Sequence, residues 1–101
     1  MLTLPIKKKW FDMIVSGEKK EEYREIKAYW TKRFHKYFHD KKGLLVPKIV
    51  KFRNGYSNNS PTIQCKIWLK RGKGKEEWGA EPGKEYYILK ILNFKEETKN
   101  E

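Results

Sequence analysis

Thr62-Ile63-Gln64-Cys65-Lys66-Ile67-Trp68-Leu69-Lys70 alternates without a break, with Ile63, Cys65, Ile67 and Leu69 on one parity and Gln64, Lys66, Trp68 and Lys70 on the other. A period of two over nine residues is the pattern of a strand buried on one face. It places Trp68 on the lysine-bearing side and Cys65 among the packed residues. Downstream, Tyr86 to Leu92 is almost continuously apolar, which predicts a central strand. Arg71 to Lys84, between them, is rich in Gly and Lys and reads as a loop. Upstream, Ile49 to Phe52 predicts another strand, followed by a turn at Asn54-Gly55 and a polar loop through Ser57-Asn58-Asn59-Ser60-Pro61.

The first half has a different period. Leu2, Leu4 and Ile6 alternate with Thr3 and Pro5, which suits an edge strand because proline has no N–H to donate to a ladder. Trp10, Met13 and Ile14 recur at helical spacing until Ser16-Gly17, and Glu21 to Ile26 predicts a short strand. Trp30, Phe34, Tyr37 and Phe38 then form one stripe of a helix over Lys27–Phe38, with Lys32, Arg33, His35 and Lys36 on its other faces. Asp40-Lys41-Lys42-Gly43 is a loop. Helices early and strands late predict an α+β fold with a small, mostly antiparallel, barrel-like sheet. We expect one domain over 1–94 and a charged, frayed tail over 95–101.

The 101 residues carry 24 Lys and Arg against 13 Asp and Glu, a formal charge of +11, and 15 % are aromatic. Cations for phosphates and rings for bases are what single-stranded nucleic acid requires. Cys65 is the single cysteine, which excludes an intrachain disulfide and a cysteine-based metal site. His35 and His39 stand at i, i+4 without an evident third ligand, so no metal is expected. No phosphate-cradling glycine loop is present, and no cofactor is expected. The N-terminus runs from Leu2-Thr3-Leu4-Pro5-Ile6 into three lysines, without a long apolar stretch. The expectation is a cytoplasmic chain with no membrane span.

The chemistry concentrates at Gly17-Glu18-Lys19-Lys20-Glu21-Glu22-Tyr23-Arg24. Gly17 ends a helix, and Lys19 then offers a point charge with three donors, suited to a phosphate or an oxyanion. Glu22 and Arg24 share strand parity and can pair, whereas Lys19 and Glu22 have opposite parity. Both reach one place only if the strand begins after Lys20 or contains a turn. Arg53, Asn54 and Tyr56 offer a planar cation, an amide that can read a base edge, and a ring. They equally make an ordinary Asn-Gly turn. Trp78, between Glu77 and Gly79, either anchors its loop or stacks a base.

These residues resemble a known family. Trp10-Phe11 through Ile14, Ser16-Gly17-Glu18-Lys19 and Glu22-Tyr23-Arg24 are similar to the signature of ASCH domains, small relatives of the PUA RNA-binding fold. Phe52-Arg53-Asn54-Gly55-Tyr56, Glu77-Trp78-Gly79 and the strand through Tyr86 and Tyr87 fall where such domains have a loop and their final strands. The resemblance implies a β-barrel flanked by helices, with a cleft between them that holds the glycine-lysine motif. It implies RNA or nucleotide binding, for which the residues read above, Lys19, Arg24, Arg53, Asn54, Tyr56 and Trp78, would be the contacts. Some bacterial members are enzymes: an amidohydrolase acting on acetylated cytidine, and ribonucleases. In that amidohydrolase the proposed set is the motif lysine, a threonine three residues on and a later glutamate. Lys19 matches the lysine, Glu22 stands at the threonine position, and Glu77 is the first choice for the glutamate, ahead of Glu76 and Glu81. With no hydroxyl nucleophile, a hydrolase here would use a carboxylate as general base on water. A third reading is a basic adaptor for an acidic protein, which predicts a flat basic surface.

Overall fold

In the computed structural model, which describes residues 1–97, the chain folds into a five-stranded sheet, curled into a half-barrel, with two helices. The elements are β1 (Leu2–Ile6), α1 (Lys8–Val15), β2 (Glu21–Glu25), α2 (Ala28–Phe38), β3 (Lys48–Asn54), β4 (Thr62–Lys73), a 3₁₀ turn (Glu76–Trp78) and β5 (Glu85–Glu97). Strand order is β1-β3-β4-β5-β2. β1 pairs with β3 in parallel, and the other pairings are antiparallel. β1 and β2 are therefore the two free edges, and Pro5 lies in the first of them.

Alternation sorts the core. Cys65, Ile67 and Leu69 of β4, Tyr87 and Leu89 of β5, and Val50 and Phe52 of β3 face one side, where Phe11 and Ile14 of α1 and Phe34 and Phe38 of α2 cover them. Tyr86 and Ile88 point the other way, onto Tyr23, Trp78 and Ala80. The apolar run of β5 thus serves two clusters, one on each face. Leu92 has no partner, because Ile91 pairs with Ile67 and Asn93 with Lys66. A bulge of this kind bends its strand and increases local twist, which helps the long β4–β5 ribbon to curl.

Two segments extend beyond their sequence limits. β4 continues to Lys73, because Arg71, Gly72 and Lys73 pair with Tyr87, Tyr86 and Glu85. The rings of β5 cover this end, with the Arg71 guanidinium 5.7 Å from the Tyr87 ring centre, so alternation of the β4 side chains is not needed. At the other end, residues 95–97 of the expected tail belong to β5, opposite Gln64, Ile63 and Thr62. Residues 98–101 lie outside the described residues.

Cys65 is fully buried, and burial pushes its thiol up to about 12. Since thiolate is the reactive form, a chromogenic disulfide reagent at pH 8 should leave the native protein unmodified and react fully in denaturant. Rapid stoichiometric reaction without denaturant would contradict this packing. No helix among the described residues is long and apolar enough to cross a membrane.

Candidate functional site: the seam between the two edge strands

Ser16 ends α1 and Gly17 follows at φ +85°, a left-handed conformation that glycine adopts without strain. The Lys19 N–H returns to the Met13 carbonyl at 2.9 Å, so the chain reverses directly into β2. Because β2 begins at Glu21, Lys19 and Glu22 escape the parity conflict. The Lys19 ammonium lies 3.2 Å from Glu22 Oε1 and donates to the Trp78 carbonyl at 2.6 Å. It also sits 4.8 Å from the Trp10 ring centre and 5.0 Å from that of Tyr23. The residue is only 2 % exposed. Burial pushes its pKa below the usual lysine value, and the attraction of Glu22 opposes that shift.

Glu22 and Arg24 pair across the sheet with Leu89 and Tyr87, which puts both on the face that the helices cover. Arg24 Nη1 donates to Glu22 Oε2 at 2.6 Å and to the Tyr23 carbonyl at 2.8 Å. Its Nη2 donates to the Pro5 carbonyl on β1 at 3.2 Å. Arg24 therefore bridges the two free edges, where no backbone ladder joins β1 to β2. Glu22 holds a cation on each oxygen, and each oxygen keeps a lone pair for a further donor.

A cleft of about 530 Å³ opens along this seam. Its rings are Trp10, Tyr29, Trp30 and Tyr56, its cations Lys7, Arg24 and Arg33, and its acid Glu22. Arg24 and Arg33 both lie near the Trp30 ring, at 5.4 and 5.5 Å. Arg33 Nη1 also donates to the Tyr29 hydroxyl at 2.8 Å. Tyr56, on the β3–β4 loop, is 87 % exposed. Backbone direction alternates along a strand, so Thr3 turns both its N–H and its C=O toward the side that Pro5 faces. Thr3 lines the cleft, and its peptide groups form a donor–acceptor pair on an open edge.

Of the residues singled out in the sequence, Glu22, Arg24 and Tyr56 come together around the cleft, and Lys19 lies behind Glu22 with its ammonium enclosed. Arg53 and Asn54 stand one strand away, opposite Pro5 and Ile6. The Asn54 N–H closes the loop onto the Pro61 carbonyl. Trp78 is buried with Tyr23 and Tyr86 and supplies Lys19 with a carbonyl; its ring does not line the cleft. Glu77 is exposed and forms no ion pair with Lys19 among the described residues. Trp10, Tyr29, Trp30 and Arg33 join the site although the sequence reading gave them no binding role. Tyr29-Trp30 together with Arg33, at the start of a helix, was the available signal.

His39 Nδ1 lies 2.8 Å from the His35 carbonyl, a bond at the end of α2. Among the described residues no group of three or more His, Cys, Asp or Glu side chains could hold a metal ion. The chain matches no family model, no curated protein and no solved structure.

Proposed function

We propose that this protein is an ASCH-type, PUA-like domain whose seam cleft binds a nucleotide, free or as one unit of a single RNA strand. The observation that carries the proposal is the cleft itself, which combines four rings, three cations and one doubly held carboxylate. Rings stack any base, arginines hold phosphate or stack in their turn, and Glu22 accepts from a base amino group. The Thr3 peptide edge can pair with the same base. A flat basic face would have favoured an acidic protein partner, whereas a concave, ring-lined site favours a planar ligand.

The hydrolase alternative requires a carboxylate close to Lys19, and Glu22 meets that condition at 3.2 Å. Binding remains the preferred reading because the Lys19 ammonium is enclosed and already donates to Trp78 and Glu22. The test is an amide and indole chemical-shift titration with mononucleotides, a short single-stranded RNA and its DNA counterpart at two salt concentrations. Saturable shifts at Trp10, Trp30 and Tyr56 are expected, with a salt slope of about −0.7 per phosphate engaged. Absence of shifts at the cleft with all three ligands would overturn the proposal. Product accumulating during the titration would move the assignment to hydrolysis.

A further inference from the structure

A second hollow, of about 580 Å³, lies beside the cleft. Lys32, Arg33 and Lys36 of α2, Lys48 at the start of β3, His39 and Tyr37 line it, and no Asp or Glu does. Arg33 lines the cleft as well, so the two depressions adjoin across α2. Lys32, Lys36 and Lys48 have no carboxylate partner among the described residues. Where acids stand nearby, lysines do pair, Lys8 with Asp12, Lys70 with Glu21 and Lys84 with Glu25, whereas this hollow gathers its cations with no acid among its lining residues. Lys32 and Lys36 are also an i, i+4 like-charge pair, on a helix with no acidic residue. Such a pair opposes helix formation, and neither a neighbouring acid nor burial offsets it.

We infer that this hollow is the phosphate track for an RNA strand whose base occupies the seam cleft. The inference rests on the proposed function and extends it from a nucleotide to an oligonucleotide. Lys32, Lys36 and Lys48 take the phosphates adjoining the bound unit as point charges, and Arg33 passes the backbone from one depression to the other. The Tyr37 ring holds the Lys48 ammonium at 5.5 Å, which keeps that cation over the hollow. Recognition here follows charge and spacing and carries no base information.

The test measures affinity for a mononucleotide and for a six-nucleotide RNA across a salt series, in the parent protein and in Lys32→Ala/Lys36→Ala/Lys48→Ala. The oligonucleotide should bind the parent more tightly than the mononucleotide. The triple variant should lose about 2 units of salt slope and at least tenfold in oligonucleotide affinity. Its mononucleotide affinity should stay within twofold. An oligonucleotide no tighter than the mononucleotide, or an unchanged slope in the variant, overturns the track and leaves the cleft reading intact. If the triple variant loses oligonucleotide affinity while neither mononucleotide nor RNA shifts Trp10, Trp30 or Tyr56, the hollow holds RNA without the cleft and the cleft reading fails.

Discussion

Glu22→Gln should destabilise the fold by about 3–5 kcal/mol, the usual cost of removing one partner from a buried ion pair. Glu22 is the single anion between two cations, with Lys19 on one oxygen and Arg24 on the other. Its side chain is 7 % exposed and that of Lys19 1 %. A glutamine has nearly the same shape but presents an amide N–H₂ to one of the two donors. The enclosed Lys19 and the partly buried Arg24 then face each other without a counter-charge. The variant can respond by releasing the Lys19 proton, since burial already pushes that group below its ordinary value. A lysine whose folded pKa is lowered binds fewer protons folded than unfolded between that value and 10.5, so its penalty falls as pH rises through that window. The gap between variant and parent should therefore narrow from pH 7 to pH 9.5. Cys65, pushed upward by burial, acts in the opposite sense in both proteins and cancels in the difference, and Tyr23, raised mainly by burial and least by Glu22, largely does so too. Urea denaturation at the two pH values measures this. Equal midpoints at pH 7 would show that the pair carries no such strain. Adding Lys19→Met should restore part of the loss, since it removes one stranded charge.

What the sequence made legible was whatever depends on near neighbours. The alternation of Ile63, Cys65, Ile67 and Leu69 assigned β4 and its buried face, and the Phe34–Phe38 stripe assigned α2. Parity required β2 either to start after Lys20 or to contain a turn if Lys19 was to meet Glu22, and it starts at Glu21. The seam was not legible, because it is the gap between two strands that never pair and that α1 separates in the chain. Nothing local in Pro5 says that Arg24 will donate to its carbonyl. Trp30 shares a helical stripe with Phe34, and it does stack on Phe34 at 5.2 Å. Its other side meets two arginines whose positions depend on β2 and on the next turn of the helix. A ring at a core margin has both roles at once, and periodicity reports only the first. For Trp78 the decisive fact is also non-local: its loop folds back over Tyr23, so its carbonyl serves the site while its ring packs away from it.

Tyr56→Ala should weaken nucleotide binding by about 1–3 kcal/mol, or about 5- to 150-fold, and leave stability almost unchanged. Two features make this the cleanest probe of the cleft. Tyr56 is 87 % exposed, so its ring contributes little to the core, and surface substitutions of that kind usually fall within about 0.5 kcal/mol. It also lies on a loop that other bonds hold in place. Gly55, at φ +91°, donates its N–H to the Ile6 carbonyl, and the Asn54 N–H bonds the Pro61 carbonyl. Removing the ring therefore leaves the loop and the cleft wall where they are. Trp30→Ala would be ambiguous, because Trp30 packs on Phe34 and its loss also removes part of the packing of α2. Tyr56→Phe separates stacking from hydrogen bonding: a phenylalanine that binds like tyrosine assigns the energy to the ring face. If Tyr56→Ala binds like the parent, the exposed ring is not a platform, and the base must sit deeper, against Trp10 and Trp30. If Tyr56→Ala loses affinity for RNA and for mononucleotide by the same factor, the stacked base is the unit recognised, and the rest of the strand contributes charge alone.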